Sequence, residues 1–250
     1  IYEEITEKLK QKGKIYPCYE TPDELELKRK ILLKTGKPPI YDRSALSLTL
    51  KEKKNFESSG RKPHWRLFID NESIEWNDLI HKMIKFENLS ISDPVLIRSD
   101  NNPLFTLTSV VDDIDYKISH IFRGDDHITN TAAQIKLFQY LDSDIPSFGH
   151  FPLMKSFSGE EMSKRLNSFS LKEIRKKKIN PDALNTLLSK LGTPFPVDSI
   201  CSLTELSSQL DLNKFSLSSI KFNYEDLFRL NSKYLRDLDY KNVRSLIKED

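Results

Sequence analysis

Residues 118–127 read Ile-Ser-His-Ile-Phe-Arg-Gly-Asp-Asp-His. The first half of this segment, through Phe122, is a short apolar run rich in β-forming residues, and it predicts a buried strand of a parallel sheet that ends in an Arg-Gly turn. A helix that begins at Thr129 or Thr131 follows, so strand, turn and helix make half of a βαβ unit. Open α/β sheets bind ligands at the carboxyl ends of their strands, and Arg123 is expected to face such a crevice.

The chemistry of Arg123 suits an anionic ligand. Its planar guanidinium matches a carboxylate or a phosphate through two parallel hydrogen bonds, which makes the residue a candidate substrate clamp. The alternative is a structural salt bridge to Asp113, Asp125 or Asp126, and the strand pattern alone leaves both interpretations open.

A second charged feature is the loop Glu161-Met162-Ser163-Lys164-Arg165, which Ser158 and Gly159 introduce. A lysine on a mobile loop suits the charge that develops on a phosphate during displacement. The other interpretation of Lys164 is a solvated loop lysine. Taken together, the arginine and the cationic loop indicate a nucleotide-dependent reaction on an anionic substrate.

Composition describes an ordinary globular protein. The 250 residues are 30% charged and 38% hydrophobic with 7 Gly, which excludes fibrous and disordered classes and leaves room for one or two domains. No apolar run is long enough for a membrane span and no secretory signal opens the chain, so a cytoplasmic location is expected. Cys18 and Cys201 have no ligand-spaced partners, and they indicate neither a disulfide framework nor a zinc site. A net charge of +2 means that any RNA contact must come from local clustering.

Local signals predict several elements. Thr21-Pro-Asp-Glu24 predicts a helix start with a capping box, and Gly36 predicts the end of that helix. Asn180 and Pro181 predict a second helix start, with Gly192 at its end. The remaining predictions are strands at 65–69 and 94–98, a β-rich or mixed segment at 103–111, and a segment at 74–89 whose type the pattern does not settle.

Three further groups of residues are candidates for function, and two of them also have a structural interpretation. Asp112-Asp113 and Asp125-Asp126 could hold magnesium or could be turn and capping residues. His150 could contact a nucleotide. Lys172 and the run Arg175-Lys176-Lys177-Lys178 could meet an RNA backbone or form a solvated helix face. The chain has no Walker loop, dinucleotide fingerprint or Ser-His-Asp order, which weakens P-loop, oxidoreductase and hydrolase interpretations.

Together, five motifs carry a resemblance to a known family. In chain order they are Val110-Val-Asp-Asp113, Ile121-Phe-Arg-Gly-Asp-Asp-His127, Thr129-Asn-Thr131, His150-Phe-Pro-Leu153 and Met162-Ser-Lys-Arg165. In this order and spacing, over nearly the whole chain, the sequence resembles bacterial glutamyl-tRNA synthetases.

The resemblance implies an α/β fold in three parts. Residues 1–92 would form an inserted α+β domain that binds the tRNA acceptor end. Residues 93–155 would be the second half of a class I Rossmann-type nucleotide-binding domain. Residues 156–250 would carry the ATP-phosphate loop and a helical domain that contacts the tRNA stem.

The resemblance also implies roles for individual residues. Lys164, with Met162, Ser163, Arg165 and His150, would bind ATP, and Lys164 would contact its phosphates during adenylation. Arg123 would pair with the side-chain carboxylate of glutamate, beside Phe105 and Ser109. The tRNA contacts would come from Lys172, Arg175, Lys176, Lys177 and Lys178. The implied reaction uses Mg-ATP, L-glutamate and tRNA, and a monomer that binds no membrane is expected.

The sequence departs from the family pattern in several places. Phe105 and Ser109 stand where the family often has tyrosine and asparagine, and Glu161 replaces the first lysine of the phosphate loop. Cys18 matches one zinc-binding cysteine of some members, but Glu20 and the region of Arg43 and Ser44 offer no thiolate, so no zinc is expected.

The resemblance further implies a central piece of a longer enzyme, because the first half of the nucleotide fold and the anticodon-binding region are not matched. Such a piece alone should be inactive or nearly so. The alternative function is a non-catalytic tRNA- or RNA-binding module derived from a synthetase.

Overall fold

A computed structural model describes residues 1–87, 90–156, 170–240 and residue 244. The chain divides into two compact units, an N-terminal unit (Ile1–His150) and a C-terminal unit (Phe151–Asp250). Both units contain helices and strands, as expected for the α/β class. The finer division at residues 92 and 155 stays a prediction.

The N-terminal unit contains helices and short strands. Its helices are α1 (Tyr2–Gln11), α2 (Pro22–Lys34), α3 (Leu50–Ser58), α4 (Phe105–Asp115) and α5 (Ile128–Tyr140). Its strands are β1 (Ile15–Cys18), β2 (His64–Leu67), β3 (Ile74–Asp78), β4 (Lys82–Phe86), β5 (Val95–Ile97), β6 (His120–Gly124) and β7 (Ser147–Phe151), the last of which ends just past the unit boundary.

In the described part of the chain, these strands form three separate sheets. β2 lies between β1 and β5, antiparallel to both, with Ile15 opposite Leu67. β3 and β4 form an antiparallel hairpin, and β6 pairs with β7. One apolar core joins α1, α4 and α5 to β2, β5 and β7, and Leu107, Phe138 and Phe148 are almost fully buried in it. This core fixes α4, α5 and β7 around the place where β6 ends.

The local start and stop signals are confirmed. The Thr21 hydroxyl accepts the backbone N–H of Glu24, the Glu24 carboxylate accepts the N–H of Thr21, and Gly36 follows the helix at φ +70°. Asn180 accepts the backbone N–H of Asp182 at the start of the helix that begins with Pro181. These signals act within three or four residues, and the sequence therefore predicts them well.

Of the two predictions for 103–111, β-rich or mixed, the β-rich one is wrong, because α4 occupies most of the segment. Its valines and threonines favour strands in isolation. Leu107, Val110 and Val111 nevertheless lie on one helical face, and all three are buried in the core. Burial of that face outweighs the local preference.

The strand predicted at 118–122 exists, but it is displaced and is not buried. It runs from His120 to Gly124 as β6, and 47% of Phe122 and 41% of Ile118 are exposed. In the described part of the chain β6 pairs with β7 alone, so its other edge has no covering strand. The helix that follows begins at Ile128, one residue before the predicted start.

The C-terminal unit is mainly helical. Its strands are β8 (Met154–Ser156) and β9 (Ile220–Phe222), which pair in parallel, and its helices are α6 (Leu171–Lys176), α7 (Pro181–Lys190), α8 (Leu203–Gln209) and α9 (Tyr224–Asp237). Leu184 and Leu187 of α7 pack with Leu227 and Leu230 of α9 in the core of this unit. None of the helices in the described ranges is long and apolar enough to cross a bilayer.

Gly192 lies just after the end of α7, at a position where a side chain does not fit. Its φ is +81°, and an added Cβ would overlap Ile220 Cδ1 and lie 3.0 Å from Ile220 Cγ1. We expect Gly192→Ala to lower the free energy of unfolding by about 1–3 kcal/mol, because backbone strain and steric overlap add. Urea unfolding measures the loss, and Gly36→Ala is the matched control, since Gly36 has positive φ but open space around it. An equal loss in both variants would contradict the packing argument.

Candidate active site

Arg123 is held in a fixed orientation near the end of β6. Its Nη2 donates to Thr131 Oγ1 and to Gln134 Oε1, the latter at 2.5 Å, and its Nε faces His150 Nε2 at 3.3 Å. The guanidinium also lies over the Phe148 ring, 5.3 Å from the ring centroid. Three polar partners and one aromatic face leave the head group little freedom to rotate.

The remaining nitrogen of Arg123 is available to a ligand. Nη1 donates no hydrogen bond to any residue in the described ranges, so two of the five guanidinium N–H groups have no protein partner there. The side chain is only partly buried. This arrangement can present two donors to a carboxylate or a phosphate.

The predicted residues Ser109 and Phe105 lie beside this arginine. Gln134, which accepts from Arg123, donates to Ser109 Oγ at 2.6 Å, and Ser109 donates to the Phe105 carbonyl at 2.7 Å. The Phe105 ring is half exposed and lies edge-on to His127. The structure therefore brings together the three residues that the sequence assigned to glutamate, with Gln134 as the link.

His150, predicted to bind ATP, is fully buried and faces Arg123 instead of solvent. Its Nδ1 lies 2.6 Å from Asp78 Oδ2, and its Nε2 lies 2.7 Å from Thr131 Oγ1. Both ring nitrogens are thus engaged inside the N-terminal unit. The assignment of His150 to ATP stays a prediction.

The electrostatics favour a charged arginine without an ion-pair partner. Burial lowers the pKa of Arg123 below its ordinary value, while Asp113 and Asp126 act in the opposite direction. An arginine stays protonated under such a shift. In the described ranges Arg123 forms no ion pair with Asp113, Asp125 or Asp126, so the structural salt bridge is not formed.

Sequence reasoning missed Asp78, Thr131 and Gln134 as parts of this arrangement. All three are almost fully buried, and two of them contact Arg123 directly. Asp78 belongs to the segment whose secondary structure the pattern left unsettled. Gln134, at the fourth position after Asn130 on α5, faces the protein interior, and a buried glutamine in an apolar helix was the available signal.

The structure describes the residues of the basic run but not those of the phosphate loop. Met162, Ser163, Lys164 and Arg165 lie outside the described residues, as does Glu161. Lys172, Arg175, Lys176, Lys177 and Lys178 are all exposed on or just after α6.

Lys176 and Lys177 of the basic run contact other side chains of the C-terminal unit. Lys176 pairs with Glu173 at 2.8 Å, and Lys177 lies over the Tyr224 and Phe228 rings. The exposure of the run fits both an RNA-facing surface and a solvated helix face.

Neither acidic pair forms a metal cluster in the described part of the chain. Asp112 accepts the Tyr2 hydroxyl at 2.6 Å, and the only group there with three donors close enough for one ion is Cys18, Glu20 and His64, whose donor atoms lie within 4.8 Å of one another. Sequence reasoning missed His64, since 44 positions separate it from Glu20.

The donor set of this cluster fits a structural zinc ion poorly. Such sites use four ligands, commonly thiolates, whereas here Glu20 already accepts from Tyr41 at 2.7 Å and pairs with Lys28 at 3.3 Å. Burial raises the pKa of the Cys18 thiol to about 11, which opposes thiolate formation. The expectation of no zinc stays a prediction.

Comparisons with known proteins agree on one family. Residues 1–229 match the family model described as tRNA synthetases class I (E and Q), catalytic domain. The chain is 46% identical over 242 residues to glutamate–tRNA ligase of Azospirillum brasilense, covering 96% of this chain and 54% of the relative. It is 43% identical over 249 residues to glutamate–tRNA ligase 1 of Wolbachia sp. subsp. Brugia malayi, covering 99% and 56%.

A solved structure shares the fold. The crystal structure of a glutamate tRNA ligase from Elizabethkingia meningosepticum in complex with its amino acid matches with a TM-score of 0.83 at 23% identity, over 99% of this chain and 55% of that one. The chain therefore spans about half the length of the relatives that it matches.

Proposed function

The chain belongs to the catalytic-domain family of class I tRNA synthetases for glutamate and glutamine, and from this membership we propose that it is part of a glutamate–tRNA ligase. The proposed reaction is the ATP-dependent attachment of L-glutamate to tRNA. The observation that carries the proposal is Arg123, a clamped guanidinium whose Nη1 carries two N–H donors that have no partner in the described ranges.

Arg123 explains why the proposed substrate has an acidic side chain. A guanidinium only donates hydrogen bonds and carries a full positive charge, so it pairs with the side-chain carboxylate of glutamate better than with the amide of glutamine. Thr131 and Gln134 are buried and accept hydrogen bonds from the guanidinium, so they hold it in place before the substrate arrives. Ser109 and Phe105 line the same region, and we propose that they contact the amino acid.

Two steps make up the reaction. The α-carboxylate of glutamate attacks the α-phosphate of ATP and pyrophosphate leaves; a hydroxyl of the terminal tRNA adenosine then takes the glutamyl group and AMP leaves. Such chemistry needs positioning and charge stabilisation more than a protein nucleophile. We assign the contacts with the phosphates of Mg-ATP to Met162, Ser163, Lys164 and Arg165, on the strength of the sequence motif.

The tRNA contacts are assigned to the exposed cations at Lys172 and 175–178. These five side chains place positive charge along one short helix and its end, which suits successive phosphates of an RNA backbone. We also retain the three-part division of residues 1–250, with residues 1–92 at the acceptor end, and a monomeric enzyme.

The test uses the protein expressed from its complete reading frame. With ATP, magnesium and bacterial tRNA, we expect labelled glutamate to become attached to tRNA, together with glutamate-dependent exchange of pyrophosphate into ATP. Glutamine should support neither reaction at comparable concentrations.

A tRNA complex that forms without either reaction would contradict the proposal. That outcome would favour the non-catalytic RNA-binding module instead. The 250-residue chain assayed by itself should show no exchange, or almost none, in the same conditions.

A further inference from the structure

We propose that Asp78 and His150 are positioning residues that aim the Arg123 guanidinium and thereby set the preference of the site for an acidic over an uncharged amino-acid side chain. The inference rests on the function proposed above. Neither side chain can contact the amino-acid substrate directly, because both are fully buried. Their effect on the substrate therefore has to pass through Arg123.

The two oxygens of Asp78 have different roles. Oδ1 accepts three backbone N–H groups, from Ile80 at 3.0 Å, His81 at 3.0 Å and His150 at 3.2 Å. Oδ2 is left for the His150 ring at 2.6 Å and for Trp76 Nε1 at 3.4 Å. The fold therefore fixes which oxygen meets the imidazole.

This carboxylate is ionised and accepts only. Burial alone would raise the pKa of Asp78, but hydrogen bonds from the His150 side chain and from backbone amides outweigh it, and the pKa lies well below its ordinary value. An acceptor at Oδ2 requires that Nδ1 of His150 carry a hydrogen. In the neutral ring, Nε2 is then an acceptor.

The acceptor at Nε2 is what orients the arginine. It faces Nε of Arg123 at 3.3 Å and Oγ1 of Thr131 at 2.7 Å. Thr131 accepts in turn from Nη2 of Arg123, so the imidazole holds one edge of the guanidinium both directly and through the threonine. With that edge fixed, the two N–H groups of Nη1 keep one direction.

Asp78→Asn should reverse this chain of hydrogen bonds while keeping the shape of the side chain. The three backbone donors at Oδ1 require the amide oxygen there, which places the amide NH₂ at the position of Oδ2, against Nδ1 of His150. The imidazole then accepts at Nδ1 and carries its hydrogen at Nε2. Two N–H groups, those of His150 and Arg123, would face each other, and the guanidinium would have to turn away.

The first experiment measures glutamate-dependent aminoacylation by the complete protein carrying Asp78→Asn. We expect KM for glutamate to rise about 10–100-fold, with KM for ATP changed less than about twofold, because loss of a supporting hydrogen bond to a binding group has effects of that size. The preference for glutamate over glutamine, as a ratio of kcat/KM values, should fall in parallel.

A pair of His150 variants separates aiming from folding. His150→Gln keeps an acceptor oxygen within reach of Arg123, whereas His150→Leu removes it, and both lose the bond to Asp78. We expect His150→Gln to raise KM for glutamate less than about tenfold and His150→Leu to raise it about 10–100-fold. Adding Asp78→Asn to His150→Gln should have little further effect, because the link it reverses is already gone.

Asp93→Asn is the matched control for loss of a buried carboxylate. Asp93 is buried in the same unit, where it pairs with Arg43 at 2.7 Å and accepts from Tyr16 at 2.6 Å, away from Arg123. The thermal stability of the Asp93→Asn variant should fall, while its KM for glutamate stays at the wild-type value.

The outcomes separate this inference from the proposed function. Wild-type protein without glutamate-dependent aminoacylation would overturn both. Active wild type, with Asp78→Asn unchanged in KM for glutamate and in selectivity, would overturn the positioning role alone. Equal losses in His150→Gln and His150→Leu would also overturn it, since a purely structural role does not distinguish the two.

Discussion

Arg123→Ala should reduce kcat/KM for glutamate by the equivalent of about 2–5 kcal/mol, the cost of removing one partner of a desolvated charge pair. Two losses add in this variant. The substrate carboxylate loses its cation, and the buried acceptors on Thr131, Gln134 and His150 lose their donor. Glutamate-dependent aminoacylation by the complete protein, at saturating ATP and tRNA, measures the effect.

Two further variants define what the arginine contributes. Arg123→Lys keeps the charge but not the planar fork, so most of the loss should remain. Arg98→Ala, in an exposed turn of the same unit, should leave glutamate kinetics unchanged. If Arg123→Ala lowered kcat/KM for ATP while glutamate binding stayed intact, Arg123 would not be the glutamate clamp.

The second large effect is expected at Lys164. Lys164→Ala should slow adenylation by the equivalent of about 2–4 kcal/mol, because a positioned cation that stabilises charge in the transition state is lost. Pyrophosphate exchange at saturating glutamate and tRNA measures the step. Affinity for tRNA should not change.

Lys172→Ala is the matched lysine variant for this test. It should weaken tRNA binding and reduce the slope of log affinity against log salt by about 1, as expected for one phosphate contact. Adenylation at saturating tRNA should stay the same. Weaker tRNA binding in Lys164→Ala, with adenylation intact, would reverse the two assignments and favour the RNA-binding module.

The parts of the fold that the sequence predicted well depend on neighbours in the chain. The capping box of Thr21 and Glu24, the cap at Asn180 and the stop at Gly36 each act over a few residues. The prediction failed at α4, where Val110 and Val111 favour a strand locally but are buried on a helical face. Packing against α5 and the rest of the core selects the helical face, and these long-range contacts cannot be read from a local sequence pattern.

The residues of the candidate site also divide into those that the sequence could identify and those that it could not. Arg123 was identifiable because a charged residue that ends a strand stands out in the sequence, and the ordered motifs around it carried the family resemblance. Asp78 was not identifiable, because its partner His150 lies 72 positions away and the pattern did not settle the secondary structure of the segment 74–89 that contains Asp78.

The sequence by itself determined the family and the caps that begin and end helices, and it predicted an arginine and a lysine for contact with substrate, since each of these signals lies in residues close together along the chain. Only the tertiary structure decided that α4 is a helix, that His150, Thr131 and Gln134 contact the guanidinium, and that Asp78 contacts His150. These contacts form when distant segments bury a common core, and the hydrogen bonds among them depend on positions that folding alone brings within 3 Å of one another.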